Sequence, residues 1–504
     1  MRQVSKTSMR SFEISTFVGL FLGAMLAQGC GGNSSASSDA GTMTGGNLGA
    51  KVHVLASAEA ATADGTEAHP FASPYDAIVA INAQTSWKGD LIIHEGKYEL
   101  PFSADKTNRH ANDIVVPKTA ALQILPGAQF ALGDKVNFHV QSDVKVQGTE
   151  AQPILFTWLT EKKHWGSFTN FEPTSANNIF EYAIFEHGGE STFNGAATTG
   201  TLALRGAGGR VSHCEFRFAE GDDAMNISGS PTIIEYSNFH DNLNDCLDAN
   251  KASVSEARFN HFEHCGNDSI DAGEGSTIKA HHNVMIGSGD KGVSIGETSN
   301  PEVYNNLIVG CNIGIGIKDG SNPTITNNTL VGNLVGISNY EAISGLGAGK
   351  GTFTNGIIWG SINADIVNNE GAGTTTFTYS CIQSGVALVD LVPGSTPIPL
   401  TGAGILSAAN GCSDPGFADV DLTKIPKAAA MIGTSFVPGD FHLKSTAGRF
   451  DPVTMTYVTT DTTTSPCIDA GDIASPFASE PAPNGGRVDL GAYGNTNEAS
   501  KSKS

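Results

Sequence analysis

The sequence predicts an all-β solenoid built from rungs of about 22 residues. The first observation is a short pattern that returns every 22 or 23 residues, most clearly in HNVMIGSGDKGVSI (282–295), NNLIVGCNIGIGI (305–317) and NNTLVGNLVGIS (327–338). The second is that apolar residues in each repeat alternate with small or polar ones, as in a strand with one buried face. A unit of this length cannot bury such a face alone, so the repeats must stack around a common core.

Aligning the repeats produces an asparagine column and an apolar column. We expect the asparagines to form an internal ladder of amide hydrogen bonds and the apolar residues to point into the core. The asparagine column contains Asn238, Asn260, Asn283, Asn306 and Asn328, and the apolar column contains Met225, Leu247, Ile270, Val293, Ile315 and Ile337.

These repeats resemble those of the right-handed parallel β-helix superfamily, the pectate-lyase-like fold, over roughly residues 100–400. The resemblance implies a right-handed parallel β-helix. It does not select an activity, because this superfamily contains lyases, hydrolases, epimerases, adhesins and proteins with no known reaction.

Both ends of the chain resemble parts of secreted β-helix proteins. Residues 51–100 contain a Gly-Thr turn, a short amphipathic helix near Pro74 to Asn82 and a first strand, and the helix is expected to cap the core. SPCIDAGD (465–472) and GGRVDLGAYGNTNEAS (485–500) resemble a terminal module called choice-of-anchor Q. We therefore expect a cap and first rung over 51–100, the β-helix over 101–400 and a choice-of-anchor Q-like module over 401–504.

Residues 1–29 predict export from the cytoplasm. Three basic residues precede an apolar run at 17–27, which is too short to span a bilayer and fits a signal peptide. Cys30 follows, and residues 30–50 form a Gly/Ser-rich tether. This junction resembles a bacterial lipoprotein signal, which implies lipidation of Cys30 and an outer-membrane or cell-surface protein that touches the membrane through its lipid alone. The alternative is ordinary cleavage and secretion.

The composition is acidic, with 29 Lys and Arg against 51 Asp and Glu and a formal net charge of −22. Removing residues 1–29 takes away three basic residues and one acidic residue, so the charge becomes −24. This charge argues against nucleic acid as a partner, because binding it requires basic patches. It would also repel an acidic polysaccharide unless cations screened it. We expect a monomer with no organic cofactor.

Seven of the eight cysteines follow Cys30, and an odd number cannot all pair within one chain. Cys381 and Cys412 flank one loop-rich segment and can form a disulfide in an oxidising compartment. We interpret the other cysteines as small buried residues, with Cys467 as a buried thiol.

Aspartates recur in four consecutive repeats, which read GDDAMN, NDCLD, NDSID and GDKGVS. An outward column contains Asp248 and Asp271, and the preceding corner column contains Asp223, Asp245, Asp268 and then Lys291. Rungs lie about 4.8 Å apart, and two carboxylates at that distance repel by roughly 3 to 4 kcal/mol at an effective dielectric constant of about 20. Calcium relieves this repulsion because it binds carboxylate and amide oxygens, so the five aspartates are candidate calcium ligands. The alternative is neutralisation by Lys251, Lys291 and Lys318, or by solvent, with one aspartate pair partly protonated.

Charged residues continue on the next rungs, in DKGVSIGE (290–297) and IGIKDGSN (315–322). We interpret Asp290, Glu297 and Asp319 as candidate substrate-binding residues. GIGIKDGSNPTITNNT resembles the segment that carries the catalytic lysine in alginate and chondroitin lyases of this fold. The resemblance implies Lys318 as general base, with Lys291 as the second candidate, and calcium to acidify the proton alpha to a uronic carboxylate.

The resemblance to these lyases ends at the following rung. There GISNYEA offers Tyr340 and Glu341 where an arginine is expected. A glycoside hydrolase would instead use a pair of carboxylates, one as acid and one as base or nucleophile.

Two classes of function follow from the sequence. The first is an exported, lipid-anchored protein that holds an extended polysaccharide or cell-surface glycan along an acidic, calcium-binding groove and acts as a polysaccharide lyase. The second is a non-catalytic surface rod or adhesin. Charged residues crowd into residues 222–319, whereas later rungs contain mostly Gly, Asn and aliphatic residues, and this asymmetry favours the first class.

Overall fold

The computed structural model describes residues 47–101, 113–206, 208–251, 254–369, 375–391, 395–425 and 439–503. The expected signal peptide, most of the tether and Cys30 lie outside these residues. Within them, no helix has both the length and the apolar character needed to cross a membrane.

Three long parallel sheets run through the described residues, and the chain visits them in turn on each rung. The first sheet contains Lys51–Val54, Gly89–Ile93, Ala120–Ile124, Val144–Gln147, Asn178–Glu181, Gly209–Ser212, Ile233–Glu235, Glu256–Arg258, Lys279–His281, Glu302–Tyr304, Thr324–Thr326, Gly351–Thr354 and Thr375–Thr378. The second sheet contains Ile114–Val116, Phe138–Val140, Phe168–Phe171, Gly200–Arg205, Asp223–Ser228, Asp245–Asn250, Ile270–Gly273, Lys291–Ile295, Ile313–Lys318, Val335–Tyr340 and Ala364–Asn368. The third sheet contains Gly96–Leu100, Ala128–Leu132, Ile154–Trp158, Ala183–Glu186, Glu215–Arg217, Asn238–Asn242, His261–Cys265, Val284–Ile286, Leu307–Val309, Thr329–Val331, Ile357–Trp359 and Cys381–Ile382.

The remaining described elements are short. They comprise a 3-10 turn at Ala60–Thr62, the helix Pro74–Asn82 and four antiparallel pairs: Ser191–Phe193 with Ala196–Thr198, Val386–Ala387 with Ile398–Pro399, Phe417–Asp419 with Asp440–Leu443, and Arg449–Asp451 with Thr456–Val458.

The core lies between the three sheets and is continuous from rung to rung. The predicted apolar column is confirmed, because its six members pair in register and are at most 1% exposed. The third sheet adds an internal aromatic stack whose neighbouring ring centroids lie 4.6 to 5.3 Å apart. Its members are Phe130, Phe156, Phe185, Phe216, Phe239 and Phe262.

The predicted capping helix is confirmed as Pro74–Asn82. Ser73 begins it, since its side-chain oxygen accepts a hydrogen bond from the Tyr75 N–H at 3.2 Å, and Pro74 occupies the first helical position. The buried face of the helix packs against Lys51–Val54 and Ile114–Val116, the first strands of two sheets. It thereby covers apolar surface that no earlier rung covers.

The asparagine ladder forms, with one correction to the predicted register. The side-chain oxygens of Asn283, Asn306 and Asn328 each accept hydrogen bonds at 2.9 to 3.0 Å from the backbone and side-chain N–H groups of the preceding asparagine. Asn238 is not a member, because it pairs with His261 and is exposed. Ser237 occupies the corresponding position, and its backbone N–H donates to Asn260 Oδ1. The alignment was wrong there by one residue.

Two disulfides are present among the described residues. The bond between Cys381 and Cys412 was expected. The bond between Cys246 and Cys265 corrects the interpretation of these two residues as isolated buried side chains. Cys467 is a buried thiol, as expected, and burial raises its pKa to about 12.

The C-terminal residues pack on the outside of the late rungs. Leu307, Val331 and Ile357 point outward from the third sheet and form a second apolar cluster with Phe417 and Phe441. Three asparagines at neighbouring corners then bind this segment through their side chains. Asn305 bonds Ala492 and Gly494, Asn327 bonds Asp489 and Gly491, and Asn355 bonds Asp472 and Ser475.

Candidate functional site

The predicted aspartate columns lie side by side on the outer face of the second sheet. In register, Asp223 pairs with Asp245, and Asp248 pairs with Asp271. Asp268 continues the corner column, since its backbone N–H donates to Asp245 Oδ1 at 2.7 Å. We call the outer surface of the strands Asp223–Ser228, Asp245–Asn250, Ile270–Gly273 and Lys291–Ile295 the aspartate face.

Local backbone geometry puts both columns on the same side of the sheet. Ala224 and Met225 are successive residues that both point into the core. Asp223 and Asn226 on either side of them therefore both face outward, although simple alternation would separate them. The same pattern returns one rung later with Cys246 and Leu247.

Several oxygens of the aspartate face are buried without a hydrogen-bond partner among the described residues. They are Asp223 Oδ2, Asn226 Oδ1, Asp271 Oδ1 and Ser294 Oγ. The side chains of Asp223, Asn226 and Ser294 are at most 3% exposed. Because an unpaired buried acceptor is costly, this cluster favours a cation at the face.

One lysine supplies a counter-charge to the aspartates. The Lys291 ammonium lies 3.4 Å from Asp268 Oδ1 and also contacts Asp290 Oδ2. Burial alone would lower the pKa of Lys291, but Asp268, Tyr340 and Asp290 outweigh burial and raise it. A buried, paired and strongly held ammonium is a poor general base, so this geometry argues against Lys291 in that role.

The other proposed counter-ions do not pair with the aspartates. Lys251 bonds Glu274 at 3.0 Å, well exposed to solvent. Lys318 forms no ion pair within the part of the chain that the structure describes.

The pKa values of the aspartates rise because of burial and mutual repulsion. Burial, followed by neighbouring carboxylates, raises the pKa of Asp223 and of Asp245 to about 8. The same two causes raise the pKa of Asp248 well above its usual range. Burial raises the pKa of Asp268 to only about 6, because the Lys291 ammonium opposes the rise. Without a bound cation, protons are the principal means of neutralising this face near neutral pH.

Three of the aspartates can converge on one metal ion. Asp245, Asp268 and Asp271 can each offer one carboxylate oxygen, with all three atoms within 4.8 Å of one another. An all-oxygen donor set suits calcium, which takes six to eight oxygen ligands at roughly 2.3 to 2.6 Å. Asp248 is less available as a metal ligand, because its Oδ2 accepts hydrogen bonds from the Asn226 and Asn250 amides.

Two glycines give the lysine side chains room to lie along the sheet. A Cβ on Gly316 would stand 2.6 Å from Lys291 Cδ, and one on Gly296 would stand 2.6 Å from Lys318 Cε. Each aliphatic chain therefore crosses a neighbouring rung at a position without a side chain. Lys318 pairs in register with Tyr340, whose pKa burial raises while Lys291 and Lys318 partly oppose the rise.

The three predicted substrate-binding carboxylates have different surroundings. Asp290 is partly exposed and contacts Lys291. Glu297 Oε2 accepts a hydrogen bond from the Glu274 N–H at 3.0 Å. Asp319 is 1% exposed and accepts from the N–H groups of Ala342 and Ile343, which argues for a role in ordering that loop rather than in contacting a glycan.

The family comparison agrees with this architecture. Residues 199–370 match the family model described as a right handed beta helix region. The described residues therefore have the fold of a right-handed parallel β-helix.

Solved structures with similar β-helices share little sequence with this chain. A crystal structure of the pectate lyase Pel9A has 13% identity and a TM-score of 0.47, covering 88% of this chain and 95% of that one. An alginate lyase from Paenibacillus sp. str. FPU-7 has 15% identity and a TM-score of 0.33, covering 52% and 88%. The A-module of the mannuronan C-5 epimerase AlgE4 from Azotobacter vinelandii has 12% identity and a TM-score of 0.34, covering 66% and 91%. No curated protein matches the sequence.

Sequence reasoning missed a hairpin beside the aspartate face of the β-helix. Ser191–Phe193 and Ala196–Thr198 pair around Asn194 and Gly195, both with positive φ. An Asn-Gly pair is a strong short-range hairpin signal, so the sequence did contain the information.

Proposed function

We propose that this β-helix protein binds an acidic polysaccharide across the aspartate face through calcium. The observation that carries the proposal is the set of five stacked aspartates with one paired lysine and with buried, unpartnered oxygens among them. A divalent cation would satisfy these oxygens and leave coordination positions for a uronate carboxylate. Without it, the face would repel an anionic glycan once its carboxylates are ionised.

We further propose that Lys318 removes a proton from the bound uronate. Lys318 in its neutral form would take the proton alpha to the carboxylate, the electron pair would form a carbon–carbon double bond, and the bond to the leaving glycosidic oxygen would break. Tyr340, opposite Lys318 on the next strand, would donate a proton to that oxygen. Calcium, when bound, would supply acidification of the proton through the carboxylate.

Export belongs to the same proposal. The signal-like residues 1–29 support it, and so do two disulfides, which form and persist in oxidising compartments. We propose that Cys30 carries the lipid that holds the protein at the membrane surface.

The test measures binding and cleavage separately on the same samples. Thermal shift with uronate and neutral polysaccharides, in calcium and in EDTA, reports binding, and absorbance near 235 nm reports the unsaturated product. We expect a uronate-specific shift only with calcium, together with product that Lys318→Met reduces by about 10³-fold or more. Calcium-dependent binding without product would remove the catalytic step and leave a non-catalytic binder. The same shift in EDTA would contradict the role of calcium.

A further inference from the structure

A β-hairpin closes the N-terminal end of the aspartate face. The hairpin of Ser191–Phe193 and Ala196–Thr198 lies over the outer surface of the second sheet. The Phe193 ring stacks on His139 with centroids 4.1 Å apart, and Thr198 Oγ1 lies 3.5 Å from Thr169 Oγ1. Both His139 and Thr169 are at most 2% exposed, although each points out of the sheet. The hairpin therefore covers the rungs that precede the aspartates.

The closure lies immediately next to the aspartates. Gly200–Arg205 is the strand that pairs with Asp223–Ser228 on its N-terminal side. Arg205 on this strand donates a hydrogen bond to the carbonyl oxygen of Ala197 in the hairpin. A glycan extended along the aspartate face towards the N-terminal rungs would meet the hairpin one strand beyond Asp223.

A polar pocket lies between the hairpin and the corner of the neighbouring rungs. Its volume is about 380 Å³, within the range of roughly 300 to 1,000 Å³ common for small-molecule sites. Side chains with hydrogen-bonding groups line it, among them Lys135, His164, Glu190, Thr192, Thr199 and Glu220. The pocket adjoins the aspartates, since the Asp223 N–H donates to the Thr199 carbonyl oxygen at 3.0 Å.

The chemistry of the pocket matches a sugar ring rich in hydroxyl groups. Carboxylates accept hydrogen bonds from hydroxyls, an ammonium donates them, and threonine hydroxyls do either. Glu190 and Thr192 are exposed, and His164 Nδ1 lies 3.4 Å from Glu220 Oε2. Glu190 and Thr192 are therefore available to a ligand, and the paired His164 and Glu220 side chains are each 39% exposed.

We propose that this pocket binds the terminal sugar of the polysaccharide, so that the protein recognises its ligand from the chain end. The inference rests on the proposed function, because it uses the same aspartate face for the sugars that follow. If the aspartate face were open at both sides, it would bind internal segments of a polymer. Because the hairpin closes one side of the face and a pocket lies there, the protein would bind chain termini instead.

The first test is the dependence of affinity on ligand length. Uronate oligosaccharides of increasing length, and the parent polymer, are titrated into the calcium-loaded full chain. End recognition predicts a dissociation constant per molecule that stays within about twofold once the face is filled, because each molecule has one terminus of the correct kind. Internal recognition predicts affinity that keeps rising with length. Loss of all calcium-dependent binding would overturn the proposed function and this inference together, and rising affinity would overturn this inference alone.

The second test changes the terminus and the pocket. A bulky label on the bound terminus should weaken binding by about tenfold or more, and Glu190→Gln should weaken it by about tenfold through loss of a charge-assisted hydrogen bond. Glu161→Gln is the matched control, since Glu161 is an exposed glutamate outside the pocket. Equal effects of the two substitutions, or no effect of labelling either terminus, would contradict the proposal.

The third test removes a contact that holds the hairpin over the N-terminal end of the aspartate face. Phe193→Ala removes the ring that stacks on His139, so the hairpin should loosen and affinity should begin to rise with ligand length. Calcium affinity should stay within about twofold, because no candidate ligand lies under the hairpin. Unchanged length dependence with normal calcium binding would show that the hairpin does not select ends.

Discussion

Lys291 and Asp268 illustrate how one residue pair limits the chemistry of a site. Both side chains are buried, and the ammonium lies 3.4 Å from the carboxylate. Lys291→Met should lower the free energy of unfolding by about 3 to 5 kcal/mol, because it leaves buried carboxylates without their counter-ion. Urea unfolding in EDTA measures this loss.

Lys251→Met is the control for that experiment. Lys251 forms an exposed pair with Glu274, so its substitution should cost less than about 1 kcal/mol. The double variant Lys291→Met with Asp268→Asn should recover part of the loss. A single Lys291→Met variant as stable as wild type would contradict the assignment of Lys291 as the counter-ion.

The raised pKa values of Asp223 and Asp245 predict an unusual pH dependence. Each folded pKa is about 8, above the unfolded value near 4, so the folded state holds extra protons between these limits. Calcium-free protein should therefore lose stability as pH rises through this window, by up to about 1.4 kcal/mol per pH unit for each group, and level off above pH 8 or so. Calcium should remove most of the slope by displacing the protons.

Thermal unfolding between pH 6 and pH 9, with EDTA or calcium, measures this slope. Asp223→Asn should make the calcium-free slope shallower, because asparagine does not titrate in this range. Stability that rises with pH in EDTA would contradict the assigned pKa values.

At the scale of elements, the asparagine ladder provides a paired test of register. Asn283 accepts from Asn260 and donates to Ala257 and Asn306, all inside the corner. Asn283→Ala should cost about 2 to 4 kcal/mol, since it leaves several buried groups without partners. Asn238→Ala should stay within about 0.5 kcal/mol, because that side chain is exposed. Equal losses in urea unfolding would contradict the observed register.

Elements repeated in the sequence were predictable, and so was the single helix Pro74–Asn82, because its amphipathic pattern lies within its own residues. Contacts that occur once and join distant residues were not predictable. The apolar column from Met225 to Ile337 was predicted because every rung meets the same requirement for burial. Asn238 was misplaced because the alignment relied on residue type, whereas the Ser237 side chain accepts the corresponding hydrogen bond from the Cys214 N–H. The disulfide between Cys246 and Cys265 was missed because it joins strands of two different sheets on successive rungs.

In the candidate site too, the repeated positions were predictable and the individual side-chain contacts were not. The period of the rungs was enough to stack Asp248 on Asp271, since a parallel sheet preserves register. The hydrogen-bond and ion-pair partners of each charged side chain depended on contacts that the repeat period does not specify. The Lys291 ammonium pairs with the Asp268 carboxylate, and the Asp319 carboxylate accepts a hydrogen bond from the backbone of a loop.

At the scale of the whole molecule, the acidic charge and the stacking of the rungs both favour a calcium site on the aspartate face. A chain with a net charge of −22 concentrates five aspartates on one outer face, and three of them can share an ion. The proposed function therefore depends on calcium binding at this face more than on any other step.

Isothermal titration of calcium at pH 8 tests that claim most directly. We expect saturable binding with a dissociation constant of about 10⁻⁴ M or tighter, weakened at least tenfold by Asp271→Asn. Asp134→Asn, which removes the same charge beside the exposed Lys163, should leave the affinity within about twofold. No saturable binding, or equal weakening by the two substitutions, would contradict a calcium site on the aspartate face.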